Sequence, residues 1–324
     1  MRAAVVGFGS MGKNHARILS NLTGVELVGV VDSNPLNVSG SSFNFFNSIN
    51  ELLEQEIDYC VVSVPTVSHE DVSIPLIEAG VHVLIEKPIS HDLASAERIR
   101  IAAKERKVTV AVGHVERFNS ALQEAKKRIE AGQLGSIYQV STRRLGPFPQ
   151  RVSDVGVIKD LATHDIDLTS WLTGSKYETL SAFTAFRSGR NLEDLVAIAG
   201  LLEANVVVNH LVNWLSPFKE RSIVVTGESG AFQIDTLSSN LTFYENGKFE
   251  VSQPQLAHFH GVSQGNICSF AFEKPEPLLV EHQTFRDFLT GKVSSIVTLD
   301  EGIETLRVAL MAIESSMSQT SLRL

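Results

Sequence analysis

The first strongly apolar run, Ala3–Val6, ends in Gly7-Phe8-Gly9-Ser10-Met11-Gly12, and residues with helical spacing follow at once, over Met11–Leu22. A G-x-G-x-x-G run between a strand and a helix restricts the fold more than any other feature of this chain, because each glycine has a separate task. Gly7 permits a tight turn, Gly9 lets the backbone approach a pyrophosphate, and Gly12 lets the helix pack closely on the strand. The helix start, including Phe8, Ser10 and Met11, then offers backbone N–H groups and a partial positive charge to phosphates. Asp32 lies twenty residues beyond Gly12, at the end of a second apolar run, Leu27–Val31. A carboxylate there accepts the hydroxyls of an adenosine ribose and repels a 2′-phosphate. No Lys or Arg occurs in Ser33-Asn-Pro-Leu-Asn37. The expected cofactor is therefore NAD, preferred over NADP. The plainer alternative is a glycine turn that matches by chance, with an Asp marking a strand end.

The alternation continues. Apolar, β-rich runs at Tyr59–Val64, Val81–Ile85 and Val108–Val112 are separated by helical spacing at Ile49–Glu54, Val72–Ala79 and Leu93–Arg106. Strands alternating with helices give βαβ units, right-handed crossovers and a parallel sheet. Continuously apolar strands fit a sheet covered on both faces. Ser48 with Glu51, and Ser68 with Asp71, have the spacing of a capping box. Residues 33–47 read as an irregular connection.

Beyond a charged helix expected over Glu116–Ala131 and ended by Gly132 and Gly135, the pattern changes. Alternating runs at Ser136–Leu145, Thr179–Phe186, Leu195–Leu201, Asn205–Trp214 and Ser222–Thr226 are mostly separated by Gly, Asn or polar residues. Such short spacing predicts an antiparallel sheet. One helix near Asp160–Leu172 interrupts it, and helices at Leu278–Leu289 and Leu299–Ser318 close the chain. The fold class expected is α/β, with residues 1–120 as a dinucleotide-binding domain on a parallel sheet. Residues 121–324 follow as an α+β domain with a large, mostly antiparallel sheet, for substrate binding and oligomerisation.

Composition removes several function classes. The 324 residues carry a net charge of −9 without a basic run, which argues against a nucleic-acid partner. Cys60 and Cys268 are too few and too far apart for a disulfide framework or a four-ligand zinc site. Cys60, in Tyr59-Cys-Val-Val, reads as a buried free thiol. No apolar stretch reaches the ~18 residues of a membrane span, and the N-terminus lacks the pattern of a secretory leader. The expectation is a cytoplasmic protein without a membrane partner.

Three further features carry chemistry. Glu86-Lys87-Pro88 directly follows an apolar run, and residues at the carboxyl ends of parallel strands face the ligand crevice. Lys87 there reads either as a group aimed at a reacting oxygen or as a surface lysine. Asp160, His164 and Asp167 share one helix face at i, i+4 and i+7. A histidine flanked by carboxylates is held in one tautomer and becomes a better base; an ordinary solvated helix face is the alternative. A metal site there is conceivable but not expected. Arg143, Arg144 and Arg151 lie in a cationic, proline-rich stretch and suit an anionic substrate, particularly a phosphate; pairing with local acids is the alternative.

Together, Gly7-x-Gly9-x-x-Gly12, Glu86-Lys87-Pro88 and Asp160-x-x-x-His164 resemble the glucose–fructose oxidoreductase/inositol dehydrogenase (Gfo/Idh/MocA) family over essentially the whole chain. The resemblance implies an N-terminal Rossmann domain and a C-terminal α/β domain. The large sheet of the second domain often forms the interface of a homo-oligomer, so a dimer or tetramer is expected. It implies a nicotinamide dinucleotide and sugars, cyclitols or their nucleotide derivatives as substrates. By motif, Lys87 contacts the reacting oxygen, His164 is the general acid/base and Asp160 assists it. Pro65, Thr66, His69 and Glu86 line the cofactor, and Arg117 and Asn119 close over the nicotinamide ribose. The segments 112–119, 143–151 and 154–167 look like a bacterial and archaeal branch that includes UDP-N-acetylglucosamine 3-dehydrogenases, in which the sugar C3 hydroxyl is oxidised. An inositol or free-sugar dehydrogenase and a non-catalytic dinucleotide-binding regulator are the other readings. Retention of Lys87, Asp160 and His164 together favours an enzyme over a regulator.

Overall fold

A computed structural model describes residues 1–34, 37, 42–149, 155–247 and 263–324. Six strands, β1 (Arg2–Val6), β2 (Glu26–Val31), β3 (Phe45–Phe46), β4 (Tyr59–Val62), β5 (His82–Glu86) and β6 (Val110–Gly113), form one sheet in the order β3-β2-β1-β4-β5-β6. Every neighbouring pair is parallel, the doubly wound arrangement that the alternating runs predict. Helices α1 (Ser10–Leu19), α2 (Ile49–Leu53), α3 (His69–Glu78) and α4 (Leu93–Arg106) lie in the connections. Side chains alternate across the sheet. Ala4 and Val6 join a core with Leu76 and Ile99, while Ala3 and Val5 join another with Ala16 and Leu19. Cover on both faces is the physical reason why these strands have no polar alternation.

Two terminus signals resolve differently. Ser48 accepts the Glu51 N–H at 3.2 Å, as a cap should. The Glu51 carboxylate, however, accepts from the Asn47 N–H at 2.7 Å rather than from Ser48. Ser68 makes no cap hydrogen bond. A 3-10 turn over Thr66–Ser68 leads straight into α3, so Ser68 lacks the extended backbone that a capping residue needs. The segment read as irregular contains the short edge strand β3.

The expected helix over 116–131 is divided. A 3-10 turn covers Val115–Phe118, and α5 (Ser120–Glu130) starts after Asn119. Asn119 is extended and its Oδ1 accepts the Ala121 N–H at 3.0 Å, the usual use of Asn at a helix start. Next come β7 (Ile137–Pro147), α6 (Thr163–Thr173), β8 (Tyr177–Ala185), β9 (Leu195–Leu202), β10 (Val207–Asn213) and β11 (Leu215–Gly227). They are followed by β12 (Gly230–Asp235), β13 (Asn240–Gly247), β14 (Ser263–Ser269), α7 (Pro277–Leu289), α8 (Leu299–Ser318) and β15 (Leu322–Arg323). Nine strands form a sheet ordered β14-β13-β12-β11-β7-β10-β9-β8-β15. Among the described residues, only the β10–β7 pairing of this sheet is parallel. The expected strand Ser222–Thr226 is only the end of β11, whose irregular register near Leu215–Glu220 hides its start.

The chain divides into two compact units, Met1–Phe118 with Pro275–Leu310, and Asn119–Lys274 with Met311–Leu324. Pro275–Leu310 groups with the first unit instead of the second because its apolar residues complete the first unit's cores. Phe285 of α7 packs with Ala3, Val5 and Tyr59, and Val297, Leu299, Ile303 and Leu306 pack with Val110 and Val112.

The glycine turn gives a stability prediction. A Cβ on Gly12 would lie 1.8 Å from the Gly7 carbonyl oxygen, so helix α1 must shift to admit it. Gly12→Ala is expected to lower unfolding free energy by about 3 kcal/mol. Urea titration measures it; a midpoint equal to that of the unsubstituted protein would disprove the tight packing.

Candidate active site

In the first unit, β1 delivers Gly7 to the turn with φ +91°, where a side chain is strained. Gly9 stands at the start of α1, and nothing lies within 4 Å of where its Cβ would be. That open side, with no side chain capping α1, leaves the first N–H groups of the helix to an outside acceptor. Asp32, at the end of β2, already braces the turn. Its Oδ2 accepts the Phe8 N–H at 2.6 Å, and its Oδ1 accepts Asn34 N–H at 2.7 Å and Asn37 Nδ2–H at 3.1 Å. The donors of the cradle and its single carboxylate fit a dinucleotide: N–H groups for the pyrophosphate, Asp32 for the adenosine ribose.

The ends of β4 and β5 come together. His69 is buried, with Nδ1 3.1 Å from the Pro88 carbonyl and 3.2 Å from that of Ile89, and Nε2 3.0 Å from the Val64 carbonyl. Burial pushes its pKa down despite these carbonyls. His69 thus ties the Pro65-Thr66 turn to the segment after Lys87, rather than presenting its ring outward. The Lys87–Pro88 peptide is cis. Glu86 is turned into the protein: Oε1 accepts from His15 Nε2 at 2.8 Å, and Oε2 from the Lys87 N–H at 3.2 Å. Burial works against its charge, but the His15 hydrogen bond and the charges of His15 and Lys87 hold its pKa below the usual range. Arg117 is buried and donates to Glu301 at 2.7 Å.

In the second unit, the expected catalytic helix begins with a π-turn over Ile158–Ala162 and continues as α6. Asp160 lies in the π-turn and His164 in the first turn of α6. Single π-turns of this kind are frequent at functional sites. Asp160, His164, Asp165 and Asp167 are all buried, which excludes the solvated-face reading. A loop clamps the start of this helix: Glu193 accepts the Ile158 N–H through Oε1 and the Val157 N–H through its carbonyl, each at 3.0 Å.

The arginines separate. Neighbouring residues of a strand point to opposite faces, and both Arg143 and Arg144 lie in β7. Arg143 is half exposed and donates to Glu220 at 2.9 Å. Arg144 is buried against Asp165, with its Nε 3.1 Å from both carboxylate oxygens. They therefore do not form the single cationic patch expected. Arg151, and Asp154 of the quoted segment, lie outside the described residues. Asn119 is taken up by its own unit: besides capping α5, its Nδ2 donates to the Thr236 carbonyl and to Ser239 Oγ, each at 3.0 Å.

Residues 1–114 match the family described as "Oxidoreductase family, NAD-binding Rossmann fold", and residues 122–233 match the GFO/IDH/MocA C-terminal domain. A UDP-N-acetylglucosamine 3-dehydrogenase from Acidithiobacillus ferrooxidans is 30% identical over 251 residues, 76% of this chain and 78% of that protein. The chain belongs to the GFO/IDH/MocA oxidoreductase family. An inositol 2-dehydrogenase from Salmonella typhimurium is 26% identical over 254 residues, covering 74% of this chain and 75% of its own. The solved structure of UDP-N-acetylglucosamine 3-dehydrogenase GnnA from A. ferrooxidans superposes with TM-score 0.85 at 26% identity, covering 98% of both chains. As a member of this GFO/IDH/MocA family, the protein is an oxidoreductase whose first unit has the NAD-binding Rossmann fold. No helix among the described residues is long and apolar enough to cross a membrane.

His15, Glu281 and His282 are buried polar residues of the first unit that the motifs do not single out. Their signal is positional. His15 falls on the buried face of α1 with Gly12, Ala16 and Leu19, and Glu281 and His282 fall on that of α7 with Leu278 and Phe285. Charged or titratable residues on core-facing helix positions need a reason.

Proposed function

We propose that the protein is an NAD-dependent dehydrogenase acting on a secondary hydroxyl of a sugar or nucleotide sugar, with C3 of UDP-N-acetylglucosamine as the first candidate. The observation that carries this reading is the buried Asp160–His164 face on a π-start. A regulator that only senses a dinucleotide does not require Asp160, His164 and Asp167 to be buried together at the start of one helix. His164 takes the hydroxyl proton, Asp160 assists it, and Lys87 stabilises negative charge growing on the oxygen. When bound, the nicotinamide accepts or returns the hydride. The nucleotide sugar is supported by the 30% identical relative. Inositol is the second reading, supported by the 26% identical inositol 2-dehydrogenase. Arg143 and Arg144 do not add to the case for a diphosphate, since they pair with Glu220 and Asp165.

A homo-oligomer, dimer or tetramer, is part of the proposal. Phe183, Val207 and Ile267 stand exposed on one face of the nine-stranded sheet, opposite to the buried Ala182 and Val208. Exposed apolar residues gathered on one sheet face suit a second copy of the chain.

The test follows absorbance at 340 nm with NAD and UDP-N-acetylglucosamine, UDP-glucose, myo-inositol or glucose. Turnover with UDP-sugars alone supports the first candidate, turnover with inositol supports the second, and NAD binding without any turnover supports a regulator. The preference for NAD rests on Asp32. Asp32→Ala is expected to weaken NAD relative to NADP, since the carboxylate both accepts ribose hydroxyls and repels a 2′-phosphate. Calorimetric titration with both dinucleotides checks it, and an unchanged affinity ratio would remove Asp32 from cofactor choice.

A further inference from the structure

Helix α1 starts at the glycine turn and, one turn later, sends His15 into the core. The ring is fully buried, its Nε2 2.8 Å from Glu86 Oε1 and its Nδ1 2.8 Å from His282 Nε2. The two imidazoles meet edge to face, 5.0 Å between centroids at 85°. A continuous chain therefore runs from α7 through α1 to the end of β5, and ends on the Lys87 N–H, which donates to the second oxygen of Glu86.

The chemistry of the chain limits where its protons sit. A buried carboxylate without a cationic or donor partner is costly. Glu86 as a carboxylate only accepts, so His15 Nε2–H donates to it. Burial, together with the proximity of His15, pushes the His282 pKa far down, so His282 is a neutral ring that shares one hydrogen bond with His15 Nδ1. Burial and the Glu86 charge push the neighbouring Glu281 carboxyl well up, so it stays neutral and does not compete for His15.

We propose that His15 is a positioning residue for Lys87: held between His282 and Glu86, it fixes Glu86 and so the direction in which Lys87 leaves β5. This rests on the dehydrogenase reading above. Charged and titratable groups on the elements next to His15 have settings of their own. On its own helix, Lys13 lies over the Phe8 ring and Arg17 pairs with Glu276. At the end of β2, Asp32 holds the Phe8 N–H. Tyr59 of β4 has its phenol pushed up by burial and stays neutral, and Arg286 of α7 turns to Asp287 and the Thr23 carbonyl.

The test compares unsubstituted protein, His15→Gln, Glu86→Gln and the double variant, using NAD calorimetry and the pH profile of kcat with the sugar that turns over. Gln keeps a donor but not a ring that meets both His282 and Glu86. His15→Gln is expected to lower kcat about tenfold or more at unchanged sugar KM, and to move the acid limb of the profile up by about one pH unit. The sign follows because the contact with His15 holds the Glu86 pKa down, and weakening it lets Glu86 take a proton at higher pH. In the Glu86→Gln background the same change should add nothing. An unmoved limb in His15→Gln, or an equal loss in both backgrounds, overturns the proposal. If His15→Gln does not fold, histidine-selective carbon NMR of the unsubstituted protein decides. A His15 ring signal that moves in Glu86→Gln, with the His282 signal moving alongside it, supports the chain; a His15 signal unmoved by Glu86→Gln overturns it. Absence of NAD binding or turnover in the unsubstituted protein would instead defeat the dehydrogenase reading, and the NMR result would still report on His15.

Discussion

His164→Ala is expected to lower kcat by about a hundredfold or more, the usual share of a general acid or base, while NAD still binds. The glycine turn and Asp32 belong to the first unit and His164 to the second, so the residues proposed to hold the dinucleotide remain. His164, Asp160, Asp165 and Asp167 are all buried, so the loss of His164 can also disturb packing. Proton transfer and packing are therefore separated with a second variant. His164→Gln keeps volume and hydrogen-bonding capacity, so a packing role would be largely restored, whereas a proton-transfer role would not. Stopped-flow absorbance at 340 nm with calorimetry of NAD gives both halves of the result. Normal turnover in either variant would take His164 out of the chemistry.

The second large effect is expected at Lys87. Lys87→Ala should also reduce kcat by about a hundredfold, the scale set by removing one preorganised charge or donor from a developing oxyanion. The side chain leaves the chain directly after β5, and the peptide that follows is clasped by His69. Its ammonium is therefore carried on a short, fixed base. Lys87→Met preserves most of the stem and should be as slow as Lys87→Ala. Added small alkylammonium ions should restore part of the rate to Lys87→Ala, where they have room, and none to Lys87→Met. Equal rates in Lys87→Met and the unsubstituted protein would reduce Lys87 to a surface lysine.

Local rules carried the sequence far in the first unit. Uninterrupted apolar runs gave the parallel strands, and Leu93–Arg106 formed a helix with the bounds its spacing predicts, because Asp92 caps it through the Ser95 N–H. Where neighbours decide, the sequence was silent. Asn119 and Glu116–Phe118 look like one charged helix until the Asn119 side chain is seen to start α5 and to hold Thr236 and Ser239. Strands β12 to β15 are specified by pairing across the sheet more than by their own pattern. At the site, the motifs named the residues but not their settings. Nothing in Arg143-Arg144 announces that one faces Glu220 and the other is consumed by Asp165. Nor does spacing show that Asp160 rides on a π-turn, since that depends on the Glu193 loop gripping Val157 and Ile158. His15 and His282 were readable only as polar residues at positions where a helix turns inward.

The return of Pro275–Leu310 to the first unit bears on how the protein can be cut and recombined. A fragment stopped at residue 118 would keep the whole glycine motif yet lack Phe285, the edge-to-face neighbour of Tyr59 at 5.4 Å, and His282, the hydrogen-bond partner of His15. Its nucleotide half would be soluble only with a bare apolar flank. Transplanting that half onto another protein thus requires two junctions rather than one, with the second segment re-entering after the host sequence. The same double crossing makes loss of the second half by simple truncation an unfavourable evolutionary route for this chain.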